Sequence, residues 1–297
     1  MNADRLPLFC DAELAERIER VEAQLVAQGS KAAHHRSGES AGFLIPVAGG
    51  LASFAEEGSP LNKVVGLGFG GAPTATELEK IEQVFSARAA PVQVELAHLA
   101  DPAIGALLTD RGYRLTSFEN VLGLALKGRS EPVTPSGVEV RRSRDDEFES
   151  WLDVVIEGFA HPDIQGVPSH EEFAREVIAM AVRDLTAAAG IMRYVALRNG
   201  VIAGGASVRM ADGVAQLTGA ATAPAHRRRG VHTALLSARL ADAATAGCDI
   251  AVITTQPASK SQQNAQRRGF DLLYTRAILV KPATQPNPEQ QGTGGAP

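Results

Sequence analysis

Apolar residues in the region 138–281 recur with two different periods, which predict an alternation of strands and helices. Phe148, Leu152, Val155 and Phe159 lie three to four positions apart and predict one face of a helix. Asn199-Gly200 tolerates the positive φ angles of a two-residue hairpin turn. The pattern predicts, in order, a strand at 138–141, a helix at 145–159, a helix opened by a capping box of Ser169 and Glu172, a hairpin of 194–198 and 201–210, a strand at 214–222, a helix at 230–246, a strand at 250–254, a short helix ending near Gly269 and a last strand at 272–281.

This order predicts a mixed α/β fold with a βαβ crossover near the centre of the region.

The first part of the chain has the same order of elements as the end of this region, 157 positions earlier in the sequence. The displacement pairs Gly112 with Gly269, the predicted strand 91–96 with 248–253, and Thr76, which with Glu79 forms a predicted capping box, with Thr233. We interpret the repeat as a duplication followed by divergence. The alternative is two unrelated α/β domains of similar element lengths. The segment 138–160 has no counterpart in the first half.

Length and composition also favour two domains. A chain of 297 residues is about twice as long as an ordinary domain, and 44% hydrophobic with 21% charged residues suits packed cores. Residues 135–137, Pro-Ser-Gly, are typical of a linker. We therefore predict domains at 1–135 and 136–281, the first of them structural, and a disordered tail at 282–297.

The charge and cysteine content narrow the function classes. The whole net charge of −5 falls in residues 1–135, and this balance disfavours binding to nucleic acid. No apolar run approaches the roughly 20 residues that span a bilayer, and the first residues lack the features of a signal peptide. We expect a cytoplasmic protein, monomer or homodimer, without a membrane partner. Cys10 and Cys248 lack metal-ligand spacing, so we expect structural thiols and no metal.

The neutral half concentrates five arginines in two clusters, at 227–229 and 267–268. The first cluster and Gly230 lie between a predicted strand and a predicted helix. The free amides and the dipole of a helix N-terminus bind anions, and a glycine lets the backbone approach the ligand. The sequence therefore predicts a phosphate-sized anion site at this turn.

The arrangement Arg227-x-x-Gly230-x-His232, preceded by Thr222-x-Pro224 and followed by Ala-Leu-Leu, resembles the coenzyme A pyrophosphate loop of the GNAT superfamily of acyl-coenzyme A-dependent N-acyltransferases. The resemblance covers about residues 138–281 and is strongest in 217–236 and 259–270. It implies two GNAT-like halves, each a twisted mixed β-sheet flanked by helices. In the first half the displacement of 157 replaces the three arginines by Gly, Gly and Ala, and Gly230 by Pro73, which has no amide hydrogen. We therefore expect the first half to be degenerate.

The resemblance assigns a set of residues to binding of acetyl-CoA, the implied co-substrate. Backbone donors to the thioester carbonyl fall on Ala220, Ala221 and Thr222. The pyrophosphate loop falls on Arg227, Arg228, Arg229, Gly230, Val231, His232 and Thr233. Polar contacts to the pantetheine arm fall on Ser261 and Asn264. His232 takes a position at which the family has Gly or Ala. Ser261 and Asn264 are equally consistent with helix capping and a solvated face.

The resemblance further implies direct attack by an amine, from a small molecule or a peptide, on the thioester carbonyl. The family position that often holds a tyrosine acid, four residues before Gly-Phe, is Ala265, and Tyr274 is the nearest substitute. A thiolate leaving group, with a pKa of about 8.5, needs little help from an acid. A half-buried strand tyrosine is more often a packing residue.

The candidates for the base that deprotonates the amine are Glu157, His161 and Asp163, between the first two helices of the second half. Glu119 is a further candidate if the two sheets join. Glu157 has an alternative as a helix-surface charge, and His161 and Asp163 have one as turn residues. A non-catalytic acyl-CoA-binding sensor or scaffold on the same fold is therefore the alternative to an acyltransferase.

Overall fold

The computed structural model describes residues 6–38, 42–127, 134–161, 167, 173–188 and 190–283. Its first half contains three helices and five strands, which are α1 (Ala12–Ser37), β1 (Phe43–Val47), β2 (Gly50–Phe54), β3 (Lys63–Val65), α2 (Ala75–Ser86), β4 (Val92–Ala97), α3 (Ala103–Asp110) and β5 (Arg114–Ala125). Its second half contains four helices and seven strands, which are β6 (Glu139–Arg142), α4 (Phe148–Ala160), α5 (Arg175–Ala188), β7 (Met192–Arg198), β8 (Val201–Ala211), β9 (Val214–Gln216), β10 (Ala220–Thr222), α6 (Val231–Thr245), β11 (Ile250–Thr255), α7 (Lys260–Arg267) and β12 (Asp271–Lys281). No helix of these residues is long and apolar enough to cross a membrane.

Most elements of the second half follow the sequence pattern. The hairpin of β7 and β8 turns at Asn199 and Gly200, whose φ angles of 52° and 77° confirm the predicted turn. The predicted strand at 214–222 is instead broken into β9 and β10. The predicted capping box of Ser169 and Glu172 lies outside the described residues.

The capping box predicted for Thr76 and Glu79 is wrong by two residues. Thr74 caps α2, because its side chain accepts from the Glu77 amide while the Glu77 carboxylate accepts from the Thr74 amide. The helix therefore begins at Ala75, half a turn earlier than the sequence prediction.

The mixed α/β class is confirmed, but both halves contribute to a single twelve-stranded sheet. The strand order is β1-β2-β3-β4-β12-β5-β11-β9-β8-β7-β6, with β10 paired to β8. The last strand of each half is exchanged, in that it pairs with strands of the other half. β12 lies between β4 and β5, and β5 lies between β12 and β11. The boundary between residues 135 and 136 stays a prediction, and residues 284–297 of the tail predicted at 282–297 lie outside the described residues.

The structure preserves the internal repeat. A displacement of 157 positions carries Lys63–Val65 onto Ala220–Thr222, and Ala103–Asp110 onto Lys260–Arg267. The exchanged strands β5 and β12 begin at Arg114 and Asp271, which are also 157 positions apart. In the described residues before α1 there is no strand or helix that corresponds to β6 or α4.

The helices cover both faces of the sheet. We call the face under α1, α4 and α5 the front and the face under α2, α3, α6 and α7 the back. On β5, Val121 packs in the core of α1, whereas Leu122 and Leu124 pack in the core of α6. Side chains along a strand alternate between faces, so one strand contributes to both cores. The two free cysteines are buried in these cores.

Candidate functional site

Two neighbouring strands of the second half diverge at their carboxyl ends. β9 pairs in parallel with β11 from Val214 to Gln216, and the last bond between them runs from the Leu217 amide to the Val252 carbonyl at 2.9 Å. β10 pairs only with β8. A gap therefore opens between Ala220–Thr222 and the end of β11.

The break between β9 and β10 is held by groups from two other elements. The Ser207 amide donates to the carbonyl oxygens of both Thr218 and Gly219, at 3.2 and 3.1 Å. Arg239 of α6 is 1% exposed and donates to the carbonyl oxygens of Ser207 at 2.9 Å, Leu235 at 3.2 Å and Thr218 at 3.4 Å. Burial lowers the pKa of Arg239 to about 10, so this guanidinium remains charged at neutral pH. The buried cation stabilises the break by satisfying its carbonyl groups.

Two backbone donors of β10 point into the gap. The Ala223 amide donates to the Ala203 carbonyl on β8 at 3.0 Å. In an antiparallel pair the bonded positions recur at every second residue, so Ala221 bonds to β8 while the amides of Ala220 and Thr222 face away from it. These two amides can donate to an oxygen atom in the gap.

Unpartnered polar atoms mark both edges of the gap. The hydroxyl groups of Thr222, at the end of β10, and Thr255, at the end of β11, are buried and have no hydrogen-bond partner among the described residues. The Gln256 side-chain oxygen beside Thr255 is in the same situation. Buried polar groups are normally hydrogen-bonded, so these three atoms indicate space for a polar ligand.

The N-terminus of α6 lies directly after this gap. Gly230 is its N-cap, with φ of 80°, and no side chain caps the first turn at Val231, His232 and Thr233. The amides of the first turn and the positive end of the helix dipole are thus available to an anion.

Of the four arginines around this N-terminus, two are held by hydrogen bonds and two are accessible. Arg227 donates to the His161 carbonyl, and Arg268 of the α7 terminus donates to the Thr233 hydroxyl at 2.7 Å. Arg228 and Arg229 are exposed and form no ion pair with a described residue. The loop therefore offers free positive charge beside free amides, which is an arrangement suited to a phosphate or pyrophosphate.

His232 contributes no charge to this site. Its burial, with Arg239 and Arg268 nearby, lowers the pKa of the imidazole to about 4. The ring is therefore neutral at pH 7.

Helix α7 borders the gap on the side of β11. Ser259 caps it by accepting from the Gln262 amide at 3.2 Å, whereas Ser261 is exposed and Asn264 is half-buried. Ala265 is 2% exposed and packs in the core, so it offers no acid. The assignments of Ser261 and Asn264 to ligand contacts stay predictions.

The first half reaches this site through Asn120 on β5, which the sequence analysis missed. The Asn120 amide group donates to the Gln262 side chain at 3.3 Å, and its oxygen accepts from the Thr275 hydroxyl at 2.9 Å. The Gln262 oxygen also accepts from the Ala258 amide at 2.8 Å and so fixes the turn before α7. No signal in the sequence marks Asn120, because the contact depends on the exchange of β5.

The comparisons with known proteins come from sequence and from fold. Residues 156–270 match the model of the acetyltransferase (GNAT) family. The second half of the chain is therefore similar in sequence to the GNAT family. No curated protein matches the sequence.

Solved structures with a similar fold cover both halves of the chain. A GCN5-related N-acetyltransferase from Kribbella flavida is 19% identical, with a TM-score of 0.62 over 88% of this chain and 96% of that one. A tandem GNAT protein from the clavulanic acid biosynthesis pathway is 13% identical, with a TM-score of 0.60 over 95% of this chain and 99% of that one. A GCN5-related N-acetyltransferase from Sphaerobacter thermophilus is 17% identical, with a TM-score of 0.54 over 71% and 68%. The tandem arrangement of the GNAT fold is thereby confirmed.

The equivalent turn in the first GNAT-like half is closed. The Glu77 carboxylate occupies the N-terminus of α2 through its bond to the Thr74 amide at 2.8 Å. The preceding glycine-rich loop uses its amides internally, since Gly68 and Gly70 both donate to the Ala48 carbonyl. The carboxylate at this helix N-terminus and the two committed loop amides disfavour an anion site among these residues.

The predicted catalytic residues of the chain lie in different environments. Glu157 is half-exposed and faces His161 at 3.2 Å and Arg175 at 3.7 Å, near the site where Arg227 meets the His161 carbonyl. Tyr274 is 1% exposed under α1 and donates to Glu19 at 2.6 Å. Burial raises the pKa of Tyr274 well above its usual range, which opposes its use as an acid or base. Asp163 lies outside the described residues.

Glu119 belongs to a group of buried charges on the front face. Arg276 of β12 lies 2.7 Å from Glu19, 3.5 Å from Glu95 and 3.8 Å from Glu119, and Lys63 lies 2.6 Å from Glu95. Burial and the neighbouring Glu95 raise the pKa of Glu119 to about 7. Among the described residues no group of three or more His, Cys, Asp or Glu side chains is arranged to hold a metal ion.

Proposed function

We propose that the second half binds acetyl-CoA in the gap between β10 and β11 and transfers the acetyl group to an amine. The observation that carries this proposal is that three features lie next to one another. They are the diverging strands, the unpartnered hydroxyls of Thr222 and Thr255, and the uncapped N-terminus of α6. A GNAT family match over residues 156–270 supports acyl transfer as the chemistry.

Residues at different positions of the site have different roles in the proposed reaction. The first-turn amides of α6, with Arg228 and Arg229, bind the pyrophosphate and fix the co-substrate, which makes the reaction effectively intramolecular. The amides of Ala220 and Thr222 donate to the thioester carbonyl oxygen, where negative charge develops when the amine attacks. The thiolate leaves without an acid at the position of Ala265, because its basicity is low.

The proposal is tested by calorimetric titration with acetyl-CoA, followed by mass detection of acetylated products. The acceptors are a panel of alkylamines, amino acids, aminoglycosides and peptides. We expect saturable binding and a product heavier by one acetyl group. Binding without transfer to any acceptor identifies the non-catalytic sensor instead, and absence of binding overturns both functions.

Charge variants locate the binding site. Arg228→Ala with Arg229→Ala removes the two free guanidinium groups, and we expect affinity for acetyl-CoA to fall about tenfold or more at low salt. The matched control is Lys31→Ala with Arg114→Ala, which removes two exposed cations of the first half. Equal affinities of the two double variants would place the co-substrate elsewhere.

A further inference from the structure

The acceptor side of the proposed site is bounded by a strand of the first half. β5 pairs with β11 as far as Asn120 opposite Thr255, so Glu119 lies one residue beyond the end of β11, beside the turn at 256–258. The Val167 amide, from the segment between α4 and α5, donates to the Pro257 carbonyl in the same turn at 3.3 Å. Glu119 therefore lies where the end of β11, the turn bonded to Val167 and the front face of the sheet meet.

The charges around Glu119 are unbalanced. We call Glu19, Glu22, Glu95 and Glu119 the buried acidic cluster. Lys63 and Arg276 are the cations within it, Arg209 faces Glu22 from β8, and the Tyr274 hydroxyl donates to Glu19. Four carboxylates thus face three cations.

One carboxylate oxygen of the cluster also lacks a hydrogen-bond donor. The Oε2 atom of Glu19, a residue that is 1% exposed, is buried without a hydrogen-bond partner. A buried carboxylate oxygen without a donor is costly, so the cluster has spare capacity for a donor of positive charge.

Glu22 and Glu119 are the partly exposed carboxylates of the cluster, and of these two Glu119 is the one without a hydrogen bond from a described residue. Its side chain is 20% exposed, compared with 1% for Glu19 and 3% for Glu95. It accepts no hydrogen bond from a described residue, and its ion pair with Arg276 is long, at 3.8 Å. The other carboxylates are committed to shorter contacts, including Glu22, which accepts from Gln216 at 2.9 Å.

We infer that the first half supplies the proton acceptor for the second half, that this residue is Glu119, and that the substrate is an alkylamine that arrives as its ammonium ion. This inference rests on the proposed acetyl transfer. The carboxylate groups of the cluster attract the ammonium ion, and the 256–258 turn, which accepts from the Val167 amide, borders its approach.

The proton balance of the step is complete. One N–H bond of the ammonium ion breaks and its proton passes to the Glu119 carboxylate. The free amine lone pair forms the C–N bond with the thioester carbonyl carbon, and the C–S bond breaks with its electron pair on sulfur. The thiolate takes the second proton from the nitrogen, and Glu119 returns its own proton to water.

Titration of Glu119 fits this task. Its pKa of about 7 lies close to neutral pH, where a group can both accept a proton and release it again. The raised value follows from burial and from Glu95 on β4 and Glu22 on α1, with Arg276 and Lys63 opposing them.

The test compares Glu119→Gln with wild type on benzylamine, an ammonium ion at pH 7, and on aniline, which is neutral at that pH. Acetyl-CoA affinity is measured first by calorimetry. We expect Glu119→Gln to retain that affinity, to lower kcat/KM for benzylamine about 100-fold or more, and to abolish the limb of the pH profile near pH 7. We expect aniline to be affected less than about tenfold, because it requires no prior loss of a proton.

Three further variants keep the result interpretable. Glu119→Asp retains a carboxylate and is expected to restore part of the activity together with the pH limb. Glu57→Gln neutralises an exposed glutamate of the first half and controls for the change in net charge.

Wild-type kinetics and a wild-type pH profile in Glu119→Gln overturn the inference while acetyl transfer stands. So does a pH limb that is lost in Glu157→Gln but kept in Glu119→Gln. Acetyl-CoA binding with no acetylation of either amine overturns the assigned substrate class, whereas absence of binding is the failure of the proposed function itself.

Discussion

Gly230 and Pro135 are in contact at the entrance of α6. A Cβ atom on Gly230 would lie 2.7 Å from the Cβ of Pro135, and Gly230 itself has φ of 80°. We expect Gly230→Ala to lower the free energy of unfolding by about 1–2 kcal/mol through backbone strain, and to weaken acetyl-CoA binding because the loop must shift.

Denaturant unfolding and calorimetric titration measure these two effects. Gly105→Ala is the control, because a Cβ at this helical position of α3 has no neighbour within 4 Å. A Gly230→Ala protein that binds acetyl-CoA as tightly as wild type would contradict the assigned loop.

Arg239 is expected to control the geometry of the gap. Arg239→Met removes a donor to the Ser207 carbonyl and one of the donors to the Thr218 carbonyl, and a buried carbonyl that loses its donor costs about 1–3 kcal/mol, partly offset by the loss of a buried charge. We expect a fall in stability of about 2 kcal/mol together with an increased KM for acetyl-CoA. Lower stability with an unchanged KM would show that the strand break does not depend on this residue.

His232 should make stability depend on pH in one direction. Its pKa is about 4 in the folded protein against an ordinary value of 6.5, so the unfolded chain binds the proton more readily. Its contribution to stability is present above pH 6.5, decreases as the pH falls, and is lost below about pH 4. At pH 5 the loss is about 2 kcal/mol.

The measurement is the difference in unfolding free energy between pH 7 and pH 5. We expect His232→Asn to lose less stability than wild type over this range, and His35→Asn, which changes an exposed histidine of α1, to behave like wild type. Identical pH dependence in all three proteins would show that His232 titrates normally.

Asn120 provides a test of the contact between the halves. Asn120→Ala removes the bonds to Gln262 and Thr275, and we expect a loss of about 1–2 kcal/mol and a several-fold higher KM for acetyl-CoA, because the turn before α7 loosens. Thr116→Ala on the same strand removes a bond to the Ile278 carbonyl, distant from α7, and is expected to affect stability alone. If both variants change the KM equally, the effect is one of general stability.

The elements that the sequence predicts well are those with local signals. Asn199-Gly200 defines its turn through its own φ angles, and the apolar period of α6 places that helix within about a residue of its observed bounds. The first capping box was misplaced because Thr74 and Thr76 each precede a glutamate by three residues, so two overlapping motifs compete.

The features missed by the sequence analysis depend on distant partners. The apolar pattern of 214–222 is continuous, and the break in it is created by Ser207 and Arg239 from other elements. The exchange of β5 and β12 leaves no local trace, because each has the pattern of an ordinary strand. The contacts of Asn120 and the environment of Glu119 follow from that exchange, so the sequence does not indicate them either.

The position of β12 has a consequence for synthesis of the protein. While the ribosome translates the chain, β4 and β5 each present an open edge, because the strand that joins them is made after every other strand of the sheet. Open edges favour pairing with other chains, and domains that complete early are spared this exposure. The nascent first half therefore waits for residues 271–281 before its sheet closes, and the two halves mature in one cooperative event rather than in turn.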